Sequence, residues 1–260
     1  MRVAVLSYFS MGYWVLGLSI LVAMAGALIG LICIRQSTKS VTSKFRLVWL
    51  ASAAVSIGGI GTWLAVFVSM LGVTPSGDAL IRYDVARLTG AAVLAVLSVF
   101  GGLMVLGRTL QLPRLLAAGV LMGAGLSLML ALGMSAVQVR GDIEFGLWQV
   151  IASGVLGVVI SLGTLWFVLF SWPTAAVVGA SALFGCAVVG MHYLRMAGLE
   201  LRIDPRAALP TGEDLFSFLV PMFVIGMLSL AVPITAVLVA PDRRTPSTPP
   251  APARRPEFTR

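Results

Sequence analysis

The sequence predicts an all-α membrane protein, a polytopic bundle of about seven transmembrane helices. Of its 260 residues, 59% are hydrophobic and only 11% are charged, whereas soluble domains carry about 25% charged residues. A transmembrane helix needs roughly 20 apolar residues to cross a hydrocarbon core about 30 Å thick. Seven stretches of the chain meet this requirement, so the composition excludes a water-soluble fold and predicts lipid as the main surroundings.

The seven predicted spans follow one another with short connections. The first is too long for the core of a signal peptide and no recognisable cleavage site follows it, so we interpret it as a retained helix. The spans are Gly12–Ile34, Val48–Val73, Val85–Gly107, Leu115–Val139, Trp148–Phe170, Thr174–Leu199 and Leu215–Ala240. Residues 1–240 are therefore predicted to form one membrane domain.

The basic residues lie mainly in alternate connections. Connections one, three and the tail hold 11 of the 18 Lys and Arg residues and two acids, Asp242 and Glu257. The other connections hold seven basic residues and the remaining eight acids. An excess of Lys and Arg marks cytoplasmic connections. With seven spans, this predicts a multi-pass protein of the bacterial inner (plasma) membrane with the N-terminus outside and the C-terminus cytoplasmic.

The last segment, residues 241–260, is rich in Pro and Arg. Such a composition does not bury enough apolar surface to fold, so we expect a disordered cytoplasmic tail. Its arginines are expected to contact anionic lipid headgroups. The net charge of +8 therefore reports membrane orientation and gives no reason to expect a nucleic-acid partner.

Three six-residue blocks recur at nearly constant spacing and predict a threefold repeat of a helix pair. They read Ala65–Met70 (AVFVSM), Met129–Met134 (MLALGM) and Met191–Met196 (MHYLRM). The spacing from Met70 to Met134 is 64 residues, and from Met134 to Met196 it is 62 residues. Each block closes an even-numbered span near its predicted outer end, which is typical of an internal duplication.

The third block, within Gly190–Gly198 (GMHYLRMAG), resembles the signature of the MHYT family. Gly61-Thr62-Trp63 before the first block fits that family's first motif, and Tyr83-Asp84 and Asp204-Pro205 are similar to the Tyr-Asp-Pro that follows its motif helices. The resemblance covers about Gly12 to Ala240. It implies a seven-helix bacterial membrane sensor that binds a metal, copper above all, through motif Met and His residues to sense oxygen, CO or NO.

Residues of the MHYT pattern are missing at several motif positions of this chain. Val66 and Leu130 replace the histidines of the first two blocks, and Ala65 replaces a methionine, so His192 is the only histidine. Arg195 stands where the family has glycine. The resemblance implies a degenerate metal site whose candidate ligands are these five residues: His192, Met196, Met191, Met134 and Met70.

Each candidate residue also has a purely structural interpretation. His192 and Met196 lie one helical turn apart and share a face, whereas Met191 points about 100° away. Imidazole and thioether donors suit Cu(I). Alternatively, His192 is a neutral imidazole hydrogen-bonded between helices, and the methionines fill gaps. Arg195, three residues from His192, would repel a cation unless its side chain extends outward; Trp63 is expected in an interfacial aromatic belt.

Two classes of function are compatible with these features. The first is a membrane sensor that detects copper or a diatomic gas and passes the signal to an unidentified cytoplasmic or membrane partner. The second is a membrane scaffold or small-solute transporter that kept the fold without the metal site. No nucleotide loop, Ser/His/Asp arrangement or pair of carboxylates lies within the spans, so the chain is not expected to be an enzyme.

Overall fold

Seven long helices form the bundle, as predicted. The computed structural model describes residues 2–4, 6–40, 42–75, 81–170, 172–204 and 207–239. Within these ranges, seven helices are long and apolar enough to cross a membrane. They are α1 (Trp14–Lys39), α2 (Ser43–Met70), α3 (Val85–Leu106), α4 (Leu112–Ser135), α5 (Leu147–Val168), α6 (Thr174–Met196) and α7 (Leu215–Val239). The chain is thus a multi-pass membrane protein, and the predicted tail, residues 241–260, lies outside the described residues.

The helix ends differ from the predicted spans in both directions. Helices α2, α4 and α6 end three or four residues before the predicted Val73, Val139 and Leu199, because the chain there turns into loops and strands. At the short-loop end, α1 and α2 continue past the apolar stretches. Helix α1 runs five residues beyond Ile34, through a polar last turn that ends at Lys39. Helix α2 begins five residues before Val48, where the Thr42 hydroxyl accepts a bond from the Phe45 amide at 3.4 Å. Hydropathy locates the hydrocarbon segment, whereas caps locate the helix ends.

Short strands cover one end of the bundle, which we call the strand end. They form a three-stranded antiparallel sheet in the order β1-β7-β6 and two antiparallel pairs, β2-β3 and β4-β5. The strands are β1 (Arg2–Ala4), β2 (Leu6–Ser7), β3 (Thr74–Pro75), β4 (Arg82–Tyr83), β5 (Val137–Gln138), β6 (Gly141–Phe145) and β7 (Leu199–Ile203). The opposite end, the short-loop end, contains the links α1–α2, α3–α4 and α5–α6. The strands were not predicted from the sequence.

Helix α2 is the central helix of the bundle. It packs against α1, α3, α4, α6 and α7, and 89% of its apolar window is buried, compared with at most 44% for any other described span. Its middle, Val55–Leu64, is wound as a π-helix. The Thr62 hydroxyl donates to the Ile57 carbonyl, five residues back, at 2.9 Å. This winding at the centre was also not predicted.

Glycines allow the helices to approach one another closely. A Cβ on Gly26 of α1 would collide with the backbone of Gly61 on α2, and one on Gly58 would lie 2.6 Å from the Ala95 carbonyl oxygen of α3. A Cβ on Gly119 of α4 would likewise collide with Leu162 of α5, and one on Gly123 would collide with Val158. The structure therefore uses small residues at helix contacts, as membrane bundles commonly do.

The three sequence blocks occupy equivalent places in the bundle. The helices that carry them, α2, α4 and α6, all end at the strand end, each followed by one or two strands and a further helix. Val66, Leu130 and His192 precede the last helical residue by four, five and four positions, or roughly 6–8 Å at 1.5 Å per residue. The helix ends therefore agree with the alignment of the blocks.

We expect Gly26→Ala to destabilise the protein and Gly17→Ala to leave its stability nearly unchanged. Both glycines lie on α1, but only Gly26 would place its new methyl against α2, whereas a Cβ on Gly17 has no neighbour within 4 Å. Overpacking of this kind costs about 1–3 kcal/mol. Thermal unfolding of both variants in detergent measures the difference. Equal melting temperatures would show that α1 and α2 can move apart at little cost in stability.

We expect the short-loop end to be cytoplasmic and the strand end to face outward. The described residues in and beside the α1–α2 and α3–α4 links include basic side chains and no acid, whereas the α5–α6 link carries no charge, and such an excess of basic residues marks the cytoplasmic side. Reporter fusions after Lys44 and after Leu209 measure this directly, because the two positions lie at opposite ends of the bundle. The first should report cytoplasm and the second the outside, and fusions that report the same side would refute the topology.

Candidate functional site

His192 lies inside the bundle, one turn from the end of α6. Its side chain is fully buried, and neither ring nitrogen has a hydrogen-bond partner in the part of the chain that the structure describes. Most buried polar atoms in proteins are hydrogen-bonded, so an imidazole without a partner needs an explanation. The alternative prediction, a histidine hydrogen-bonded between helices, is therefore wrong for the described residues.

The four candidate methionines are also buried, on the three helices that carry the sequence blocks. Met70 ends α2, Met134 lies near the end of α4, and Met191 and Met196 lie on α6. None is more than 4% exposed, and all four belong to one continuous hydrophobic cluster. Their position at the strand ends of three helices agrees with the predicted place of the site.

Met191 points toward α4 and α5. A Cβ on Gly157 of α5 would lie 3.2 Å from the Met191 Sδ atom and 3.2 Å from the Ser127 Oγ atom of α4. The following residue, His192, projects about 100° farther around the helix. Of the five candidate ligands, Met191 is therefore the one whose surroundings favour packing.

The interior of the bundle contains further buried polar atoms that were not predicted from the sequence. Trp63 Nε1 on α2, Ser127 Oγ on α4 and Ser161 Oγ on α5 have no hydrogen-bond partner among the described residues. Trp63 is 5% exposed and packs edge-on against Phe218, so its predicted place in an interfacial belt is wrong. Serines recurring within a span were the available signal, but serine commonly bonds its own helix, as Ser153 does.

Arg195 is a buried cation beside the histidine. Its side chain is 6% exposed, its Nε atom has no partner among the described residues, and its guanidinium carbon lies 5.9 Å from the centre of the Phe145 ring. The described ion pairs join other residues at the strand end, Arg87 to Asp84 and Arg202 to Glu144 and Glu200. Arg195 therefore does not extend into solvent, and its charge stays one turn from His192.

The segment before α1 covers the strand end of α6. The Tyr8 hydroxyl donates to the Met196 carbonyl at 3.0 Å, and the Phe9 ring stacks on Tyr193 with 5.6 Å between the ring centres. This cover keeps Met196 at 1% exposure, although it is the last helical residue. The site is consequently shielded from the aqueous face above it.

Residues that resemble the family's Tyr-Asp-Pro have structural roles here. The Asp84 carboxylate caps α3 by accepting bonds from the Ala86 and Arg87 amides at 3.0 and 3.2 Å. Burial raises the pKa of the Tyr83 phenol, so Tyr83 is neutral at physiological pH. Asp214 belongs to neither of these matches; it precedes α7, and hydrogen bonds from the Ser217 hydroxyl and amide lower the pKa of its carboxyl group. Pro205 lies outside the described residues.

The candidate donors are of the kind that soft metal ions prefer. The described residues contain no cluster of three or more His, Cys, Asp or Glu side chains, which argues against a zinc or magnesium site. One imidazole with thioethers fits Cu(I). A metal-binding histidine usually donates its second N–H to a carboxylate or carbonyl group, and the described surroundings of His192 supply neither.

The chain is similar to part of a cyclic di-GMP enzyme. Over 163 residues it is 32% identical to the bifunctional diguanylate cyclase/cyclic di-GMP phosphodiesterase MucR of Pseudomonas aeruginosa. The aligned region is 59% of this chain and 23% of that protein, so the chain spans about a quarter of the relative's length. No family model matches the chain, and no solved structure matches it. Membership of the MHYT family remains a prediction.

We expect Arg195→Leu to stabilise the protein. A buried guanidinium without a carboxylate partner costs desolvation energy, and an apolar side chain in its place should raise the free energy of unfolding by about 1 kcal/mol. Arg202→Leu is the matched control, because Arg202 is partly exposed and paired with two glutamates. Thermal unfolding compares the two; a large loss of stability in Arg195→Leu would show that the guanidinium has a partner outside the described residues.

Proposed function

We propose that this chain is a membrane signal-input module whose receptor group is His192. The observation that carries the proposal is the environment of this residue, the only histidine of the protein, which is fully buried with both ring nitrogens unpartnered among the described residues. An ionisable residue within a span is costly and usually functional. The resemblance to the MHYT sensors and the similarity to a cyclic di-GMP enzyme support the same class of function.

Cu(I) is the ligand whose chemistry these residues match. His192 would supply an imidazole nitrogen and Met196 a thioether from the same face of α6, one turn away. Met70 and Met134 are the candidate ligands from α2 and α4, because they are buried at the same end of the bundle. Bound copper would supply the chemistry for binding a diatomic gas. The chain's own residues hold the imidazole in an apolar, covered position.

Arg195 makes this a weak cation site. Its charge lies one turn from the imidazole in poorly screened surroundings, where repulsion between like charges is stronger than in water. The two block positions without histidine, Val66 and Leu130, remove further donors. These features favour the alternative, a scaffold that kept the fold without the metal, and the metal-binding experiment distinguishes the two.

The output of the module is proposed to be a change in cyclic di-GMP metabolism. The relative's name describes synthesis and breakdown of this nucleotide, and no nucleotide loop, Ser/His/Asp arrangement or pair of carboxylates lies within the predicted spans. A cytoplasmic partner enzyme would respond to changes in the bundle. In this view, the membrane domain detects the signal and does not itself catalyse a reaction.

The proposal predicts that copper binding depends on His192 and Met196. Cu(I) is titrated against a competing chelator into the wild type, His192→Ala and Met196→Leu, with Met122→Leu as the control. Met122 is equally buried but lies mid-helix on α4. The ligand variants should bind at least about tenfold more weakly, the equivalent of one lost interaction of about 1.4 kcal/mol, whereas the control should match the wild type.

The same titration with Arg195→Gly measures the effect of the buried cation. Removing the guanidinium should raise the affinity for Cu(I), because the repulsion at the site disappears. Absence of copper binding in the wild type and in Arg195→Gly would refute the metal site and favour the scaffold. Tight binding by the wild type with no gain in Arg195→Gly would show that the Arg195 charge does not act on the site.

A further inference from the structure

A long apolar cavity, partly open to the lipid-facing surface, lies between α1, α2, α5 and α6, and its lining on α6 ends at Ala187, five residues before His192. Its volume is about 430 Å³, within the range of about 300–1,000 Å³ that small-molecule sites occupy. The side chains around it are almost all apolar, and the hydroxyl of Thr164 is bonded to the Ile160 carbonyl of its own helix at 2.8 Å. We call this space the apolar cavity.

The apolar cavity has the length and depth of one bilayer leaflet. On α5 its lining runs from Leu156 to Phe167, which is about 16 Å at 1.5 Å per residue and about half of a 30 Å hydrocarbon core. These residues form the half of α5 nearer the short-loop end. The lining on α6 begins at Ala180, six residues from the short-loop end of that helix, and reaches Ala187, just past its middle.

A small basic pocket lies beyond the apolar cavity at the short-loop end. Its volume is about 50 Å³ and its lining includes Arg46, Arg108, Ser37 and Thr38. That volume holds roughly four water-sized groups, enough for a phosphate group. The described structure gives neither arginine side chain an ion-pair partner, since the charged residues at this end of the described chain are all basic. We call this space the basic pocket.

The same three helices line both spaces in succession. Leu31 of α1 borders the apolar cavity, and Ile34 of the next turn borders the basic pocket. On α5 the change occurs between Phe167 and Val168. On α2, Ile57 borders the first space, and Leu50 and Arg46 border the second. An apolar space one leaflet long therefore leads toward a basic one at the membrane surface.

We propose that the two spaces form a binding site for an anionic phospholipid of the leaflet at the short-loop end. One acyl chain lies in the apolar cavity, and the phosphate lies between Arg46 and Arg108 in the basic pocket. Basic residues at the cytoplasmic surface attract anionic headgroups. A free phosphate would match the basic pocket alone and would leave the apolar cavity without a role.

Aromatic residues at the boundary between the two spaces support a lipid as the occupant. Phe167 of the apolar cavity stacks on Trp172, with 5.3 Å between the ring centres, and the Arg35 guanidinium donates to the Trp172 carbonyl at 2.6 Å. Aromatic rings of this kind belong at the headgroup level of a bilayer. These contacts tie the α5–α6 link to α1 at the depth where an acyl chain joins its headgroup.

Two pairs of variants test the apolar cavity and the basic pocket separately. Gly163→Leu fills the apolar cavity, because a Cβ on Gly163 has no neighbour within 4 Å; Gly179→Leu also has free space but lies outside the cavity. The double variant Arg46→Gln/Arg108→Gln removes two charges from the basic pocket. The double variant Lys39→Gln/Lys44→Gln removes two exposed charges at the same end without altering its lining.

Binding is measured on the purified full chain in detergent, by native mass spectrometry and by the shift in melting temperature. The probes are phosphatidylglycerol, phosphatidylcholine and inorganic phosphate. The wild type should retain phosphatidylglycerol in preference to phosphatidylcholine. The arginine variant should lose affinity for phosphatidylglycerol about tenfold, and Gly163→Leu should lose affinity for both lipids. Both control variants should behave as the wild type does.

Three results would overturn the proposal. Equal losses in the arginine and lysine variants would show a general attraction of the basic end for anionic lipid. A full effect of inorganic phosphate, unchanged by Gly163→Leu, would show a free-phosphate site. Equal binding of both lipids by the wild type would show ordinary solvation by the bilayer. Because none of these measurements involves copper or His192, their failure would leave the proposed sensor function untouched.

Discussion

Close packing around the central helix α2 is the constraint on which the rest of the structure depends. Lipid tails are as apolar as leucine, so association of helices in a membrane relies on van der Waals contact and has little hydrophobic drive. Here the contact is achieved by glycine: Gly26 brings α1 against Gly61, and Gly58 brings the backbone of α2 against Ala95 of α3. The π-helical segment from Val55 to Leu64 has more residues per turn than an α-helix. A bulky residue at any of these contacts would move helices that carry the candidate site.

The packing also explains the electrostatics of the candidate site. Because α6 lies against α1, α2 and α5, and because Tyr8 and Phe9 cover its end, His192 is removed from water without gaining a described hydrogen bond. Arg195 is buried by the same arrangement, and the described contact for its charge is the Phe145 ring. A histidine that lacks a partner suggests a ligand site, whereas a buried cation beside it opposes a metal ion. Whether the site binds copper depends on which is larger, the attraction of the unpartnered imidazole for a metal ion or the repulsion by the guanidinium.

The two ends of the bundle differ in chemistry because the chain connects its helices differently at each end. Strand pairs and ion pairs such as Arg202–Glu144 close the strand end, next to the candidate site. The short-loop end has short links and a basic pocket, next to the apolar cavity. Helix α6 contributes to both regions, with His192 near its last turn and Ala180 and Ala187 on the apolar cavity. A lipid at one end and a ligand at the other would therefore act on the same helix.

The sequence by itself determined the seven helices, the placement of successive connections at alternate ends of the bundle, and the equivalent positions of Val66, Leu130 and His192. These properties follow from apolar length and residue spacing, which are local along the chain. Only the tertiary structure decided the π-helical centre of α2, the strands, the burial of Trp63 and Arg195, the apolar cavity and the basic pocket. It also showed that the ring nitrogens of His192 have no hydrogen-bond partner among the described residues. Each of these features depends on contacts between side chains of different helices, and hydropathy carries no information about such contacts. The five candidate ligands are a prediction from the sequence, whereas the surroundings of these residues came only from the tertiary structure.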